Sequence, residues 1–258
     1  MIEQFPDFIL NRIGVPSLSK YVVSGSTPVP FFGNFPDASI YTIGINPSHQ
    51  EFLSSSGKLL SLQEKRLSDF ETLKVNTYGG INPIGVSQSV EIFKSCLSYF
   101  YNKPYKWFSV LDEVVNKPLQ ASYFNGTACH LDLVQSATSP VWGQILKQDA
   151  VGARHLLESD LLFLIQQIHW LQKNNENLRG FFLSGRTVVE SLSDTFNLEF
   201  VGKTQVSGKD TQYSLYKGQY EDIAVFGTSM NVPDVYTSDA HREFLSEWLH
   251  EKVFVSER

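Results

Sequence analysis

Hydrophobic residues in this chain fall into two patterns, short continuous runs and helically spaced stripes, and their alternation predicts the fold class. Residues 40–45 (Ile40, Tyr41, Thr42, Ile43, Gly44, Ile45) form an apolar, β-forming run too short for a helix, which stops at Asn46-Pro47. Residues 128–134, 181–184 and 223–226 are three further runs of this kind. Between them the spacing turns helical: Val90, Phe93, Leu97 and Phe100 in residues 87–101, Leu111, Val114 and Val115 in 107–115, and Leu156, Leu157, Leu161, Leu164, Ile165 and Ile168 in 149–172. Shorter helices are predicted over residues 5–13, over a charged stretch at 59–73, after Gly185 with Thr187 as its cap, and over 239–253 with Ser238 as its cap. Residues 200–206 and 213–216 read as a hairpin turning near Ser207-Gly208-Lys209-Asp210. Four buried strands separated by helices predict an α/β protein, a three-layer α/β/α sandwich with a mainly parallel central four-stranded sheet.

Each strand opens into a polar or glycine-bearing turn, and in a parallel sheet those turns share one edge, where ligands bind. Pro47 cannot donate to a sheet ladder, so it ends the first strand and sets Asn46 just beyond the strand's carboxyl end. The second strand carries His130 and Asp132 among apolar neighbours and runs into Gln135-Ser136-Ala137-Thr138-Ser139-Pro140. Polar groups so placed need partners.

Composition narrows the function without naming it. With 258 residues, 42% of them hydrophobic and no stretch that reads as a linker, the chain is expected to form a single domain over residues 1–258; the loop-like residues 72–88, with Gly79, Gly80 and Asn82-Pro83, are too short to separate two. The start of the chain lacks the pattern of a signal peptide and no run is long enough for a membrane span, so a cytoplasmic protein is expected. Two cysteines, Cys96 and Cys129, are too few for a four-cysteine metal site and are expected to be free buried thiols. No metal and no cofactor is expected. A net charge of −6 argues against indiscriminate nucleic-acid binding but allows a local basic groove. Gly57-Lys58 lacks the flanking residues of a phosphate loop and reads as an ordinary turn.

Taken with the strand-end turns, Gly44-Ile45-Asn46-Pro47-Ser48 resembles the first motif of the uracil-DNA glycosylase superfamily, GQDPY in its uracil-specific branch and GINPG in its mismatch-specific branch. The resemblance covers roughly residues 31–258. Leu131-Asp132 stands where that superfamily ends its second strand in a base-reading Asn, and Gly227-Thr228-Ser229-Met230-Asn231 stands where it has an HPSPLS-like loop that presses into the minor groove. Three departures are specific: Asp132 replaces the Asn, Ser48 replaces a Tyr or Gly, and Gly227 replaces the catalytic His.

The resemblance implies a role for each matched residue. Asn46 would hold the attacking water through its amide oxygen; read from its type alone, an Asn before proline is an Asx turn. Ser48, where a tyrosine would exclude a C5 methyl group, leaves room for a substituent. Asp132, if ionised, only accepts hydrogen bonds, which suits the N4 amino group of cytosine and not uracil O4; the other reading is that it bonds backbone amides or pairs with Arg186 or His130. His49 or His130 could stabilise charge on the departing base, although a lone histidine is more often structural. Gly44 and Phe52 complete the base pocket, Phe52 as a stacking partner. Thr228, Ser229, Met230, Asn231 and Arg186 are the candidate DNA contacts, with Met230 and Asn231 as the wedge. The aromatics Tyr99, Phe100, Tyr105, Trp107 and Phe108, along with Trp142, are assigned to packing.

The resulting expectation is a monomeric, monofunctional DNA glycosylase that flips out a pyrimidine and hydrolyses its N-glycosidic bond, leaving an abasic site. Asp132 and Ser48 together point to a C5-modified cytosine, such as a glucosylated hydroxymethylcytosine, and hence to defence against bacteriophages carrying such bases. A uracil or mismatch repair glycosylase is the nearest alternative, and a non-catalytic nucleic-acid-binding protein on the same fold is the alternative of another class.

Overall fold

The computed structural model describes residues 6–15, 17, 19–75, 84–205, 212–232 and 239–254. In chain order these form α1 (Asp7–Gly14), β1 (Phe32–Gly33), β2 (Ile40–Gly44), α2 (Val86–Leu97), α3 (Trp107–Leu119), β3 (Ala128–Asp132), α4 (Trp142–Gln148), α5 (Ala150–Asn174), β4 (Gly180–Ser184), α6 (Arg186–Leu192), β5 (Glu199–Gln205), β6 (Gln212–Tyr220), β7 (Ile223–Thr228) and α7 (Asp239–Phe254). The protein is α/β, and its sheet is mixed, with seven strands in the order β1-β3-β2-β4-β7-β6-β5. The four apolar runs are β2, β3, β4 and β7. The hairpin adds β5 and β6 to the same sheet, which makes it larger than the four strands expected.

Contacts divide the chain into two compact units of interleaved segments: residues 1–36, 46–105 and 131–171 in the first, and 37–45, 106–130 and 172–258 in the second. In the first unit α1 packs on α2 and α2 on β1. Its core is aromatic. Phe31 lies 5.0 Å from Phe35 and 4.9 Å from Phe93, Phe35 stacks on Trp170, and Phe32 meets the edge of Tyr99. One buried ion pair, Arg12 to Asp160 at 2.7 Å, ties α1 to α5.

In the second unit β2 pairs in parallel with β4, and β4 with β7, so Ile40, Gly180 and Ala224 lie in one row across the strands. Parallel strands covered on both faces read as continuous apolar runs, which is why these three were legible. β6 is antiparallel to β7 and β5 to β6. α3 packs on α7, and α6 on β4 and β7. Asn175 donates from Nδ2 to the Ala38 carbonyl and the Tyr41 hydroxyl, both at 2.8 Å, and so fastens the chain before β2.

Three expectations need correction. Residues 59–73 are turns, not a helix: isolated turn bonds such as Lys65 N to Ser61 O and Leu73 N to Asp69 O are interrupted by amides that bond outside the segment, Leu60 N to Phe52 O and Phe70 N to Gly25 O, while the Lys65–Asp69 ion pair mimics helical i,i+4 spacing. The helix after β4 begins at Arg186 with Gly185 at its N-cap, φ +110°, rather than with Thr187 as the cap. β7 continues through Gly227 and Thr228, which pair with Leu183 and Ser184, so the polar turn begins only at Ser229. A short helix, α4, was not predicted. The glycines and Asn82-Pro83 of the 72–88 stretch, the hairpin turn at 207–210, Pro233 and the Ser238 cap lie outside the described residues. Among the described residues no helix is long and apolar enough to cross a membrane.

Candidate active site

In the first unit the chain leaves β2 at Asn46 and turns into a single 3-10 turn, His49–Glu51. The Asn46 side chain is held by two acceptors. Nδ2 donates to the Pro47 carbonyl at 2.9 Å and to Thr138 Oγ1 at 3.0 Å. Because a carbonyl can only accept, the nitrogen end of the amide must face this way, and Oδ1 is the end left to accept from elsewhere. Thr138 is itself 1% exposed and sits between two neighbours, bridged to Ser48 on one side and to Val22 on the other. Ser48 caps the 3-10 turn, its Oγ accepting from Gln50 N at 3.2 Å.

That turn is braced from below. Glu51 is 1% exposed and accepts from the Tyr99 hydroxyl at 2.8 Å, while Tyr99 in turn accepts from Tyr105 N at 2.9 Å. Burial, with the Glu51 carboxylate beside it, keeps the Tyr99 phenol protonated far above its ordinary range. Arg66 donates to Gln50 O at 2.9 Å and lies over the Tyr105 ring. His49 is partly exposed at the head of the turn, and Phe52, just after it, is buried.

Asp132 ends β3 with 2% exposure, and the segment that follows it is buried as far as Thr138. Gln135 organises it: Nε2 donates to the carbonyls of Asp132 at 2.9 Å and Leu133 at 3.2 Å, and its own amide donates to Asp160 Oδ2 at 2.9 Å. Asp160 is the partner of Arg12, so an ion pair fixes the backbone that presents Asp132 and Thr138. These supports, Thr138, Gln135, Asp160 and Arg12, were not among the sequence-predicted site residues. Only the run of polar residues after 132 hinted at them.

No protein-family model and no curated protein matches this chain.

The second unit holds the other candidates. Gly44 ends β2, partly exposed. His130 is 2% exposed, its Nδ1 within 2.6 Å of Thr42 Oγ1, which also meets the Tyr123 hydroxyl at 2.6 Å; Trp107 and Phe108 present their rings edge-on to it. This is the packed, hydrogen-bonded setting of a structural histidine. The expectation that Thr228 and Met230 face DNA is corrected by burial, at 0% and 2% exposure. Met230 is drawn in because Ser184 Oγ donates to its carbonyl at 3.4 Å and accepts from Val232 N at 3.0 Å, while Met230 N donates to Thr228 Oγ1. Ser229 makes a two-way pair with Ser214 of β6, donating from N to its carbonyl and accepting its amide at Oγ. Asn231 and Arg186 are exposed. Among the described residues no group of three or more His, Cys, Asp and Glu could hold a metal ion.

Proposed function

We propose that the chain is a DNA glycosylase that hydrolyses the N-glycosidic bond of a flipped pyrimidine nucleotide, with a C5-modified cytosine as the favoured base. The observation that carries this reading is the clamp on Asn46: two acceptors hold its nitrogen, so its oxygen is a fixed acceptor for a water. That water attacks the anomeric carbon, the electron pair of the broken C–N bond leaves with the base, and the water's proton is released. Asn46 orients the nucleophile without taking its proton, so the reaction depends on a stabilised leaving group.

Asp132 supplies that stabilisation in this reading. A buried carboxylate accepts from the cytosine N4 amino group and favours cytosine protonated at N3, a better leaving group than the neutral base. Ser48, whose Oγ accepts from Gln50 N, presents a small side chain near C5 and does not exclude a substituent. Asn231 and Arg186, which are exposed, remain the candidate DNA contacts, and His49 the candidate for meeting charge on the departing base.

The test is release of base from duplexes carrying uracil, cytosine, 5-hydroxymethylcytosine or its glucosylated form, read as strand breaks after alkali. Breaks at a modified cytosine are expected, falling roughly a hundredfold in Asn46→Ala, the lower range for a positioned catalytic group. Breaks at uracil alone, unaffected by Asp132→Asn, would establish the uracil reading instead, and binding without any base release would establish a non-catalytic protein.

A further inference from the structure

The first unit contains an open cavity of about 230 Å³ that none of the assignments above uses. It is walled by residues of the stretch 17–28, by Phe70 and by Ser136. Apart from Lys20, its polar side chains are hydroxyls. Ser136 is 2% exposed and lines the cavity, and its hydroxyl has no hydrogen-bond partner among the described residues. Ser17 Oγ accepts from Ser19 N and Ser19 Oγ from Tyr21 N, and neither O–H is spent on an acceptor among the described residues. Ser24 adds an exposed hydroxyl at the rim, while Val22, Val23, Pro28 and Phe70 give the remaining wall an apolar surface.

Charge decides against an anion. Among the described lining residues Lys20 is the one cation, and Asp149 already matches it at 3.3 Å, with Tyr21 beneath it. A phosphate or sulfate site would be expected to offer guanidinium or ammonium groups of its own. Hydroxyls that both donate and accept suit a neutral ligand with the same property, and an apolar wall suits its C–H face. The volume is below the roughly 300–1,000 Å³ of drug-sized pockets and holds about eight waters at about 30 Å³ each, the scale of one sugar ring.

The position of the cavity gives this chemistry a use. Ser136 and Thr138 are two residues apart on one segment, about 7 Å in extended chain, and Thr138 is the residue that clamps Asn46. Val22, on the cavity wall, is bridged to Thr138.

From the cavity we infer a binding site for a neutral hexose, and, resting on the glycosylase reading, that this hexose is the sugar carried at C5 of the excised base. Ser24→Trp tests it by filling the cavity from its exposed rim, and Ser136→Ala removes the buried hydroxyl with little change in volume. In the excision assay wild type is expected to prefer glucosylated over unglucosylated hydroxymethylcytosine, and both variants to lose about tenfold in kcat/KM on the glucosylated base alone. A preference that both variants retain overturns the site even if excision is confirmed. If no DNA is cleaved, the glycosylase reading falls and the site is judged by saturation-transfer NMR with methyl α- and β-glucopyranoside. A signal lost in Ser24→Trp upholds it. No signal, a signal unchanged in Ser24→Trp, or displacement by inorganic phosphate, which would mark an anion site, overturns it.

Discussion

Replacing Thr138 with valine keeps the shape of the side chain and deletes the hydroxyl that accepts from Asn46 Nδ2 at 3.0 Å. A neutral hydrogen bond contributes about 0.5–1.5 kcal/mol net, and orphaning a buried donor about 1–3 kcal/mol. Asn46 is only partly buried and keeps the Pro47 carbonyl, so the expected loss of stability is about 1–2 kcal/mol. At a urea dependence of about 3 kcal/mol per molar, the midpoint falls by roughly 0.3–0.7 M. For catalysis the bond matters as an orienting device. Losing about 1.4 kcal/mol of preference for the productive amide orientation slows single-turnover excision about tenfold. The double variant decides whether Thr138 acts through Asn46, because in an Asn46→Ala background Thr138→Val should have no further effect on the rate. An equal slowing in both backgrounds, or an unchanged rate in Thr138→Val alone, would refute the clamp.

Other perturbations follow from the same structure. Arg12→Met strands the Asp160 carboxylate, which is 2% exposed, and should destabilise the protein by about 3–5 kcal/mol in urea unfolding, with Asp160→Asn in the same chain restoring part of the loss. Burial alone would raise the pKa of Asp69, but the Lys65 ammonium and the Thr72 hydroxyl and amide outweigh it and hold the carboxyl below its ordinary value. Its contribution to stability is therefore complete above the unfolded value of about 3.9 and is lost as pH falls below it, so Asp69→Asn should flatten the acid limb of a midpoint-versus-pH curve. Burial pushes the Cys96 thiol up to about 12, and both cysteines are buried thiols outside any disulfide. Neither should react with iodoacetamide at about pH 8 until denaturant is added.

What the sequence disclosed depended on how local the determining contacts are. β2 was legible because Ile40, Tyr41 and Ile43 are apolar neighbours covered on both faces. The end of β7 was not, since Gly227-Thr228 has loop composition and is kept extended by pairing on both sides, with Leu183 and Ser184 of β4 and with Tyr216 and Leu215 of β6. Residues 59–73 have helical charge spacing, yet the amides of Leu60 and Phe70 are claimed by the distant carbonyls of Phe52 and Gly25, which leaves only isolated turns. At the candidate site Asn46 stood out by its place before a proline, whereas Thr138, 92 residues away, carries no mark of its own. Met230 looked like a wedge by composition. Its burial depends on Ser184, a strand-end serine whose reach no local pattern reveals.

The interleaving of the two units sets the order in which the chain can mature. Residues 1–36 belong with residues 131–171, and residues 37–45 with the last third of the chain. At about 5–20 residues per second, the first segment waits roughly seven to twenty-seven seconds on the ribosome for its final partner segment, with its helices α4 and α5. During that interval Phe31, Phe32 and Phe35, which end fully buried, have no complete core to enter. A chain cut between residues 105 and 131 supplies neither unit whole, so nascent and prematurely terminated products are natural clients for chaperones rather than small folded fragments.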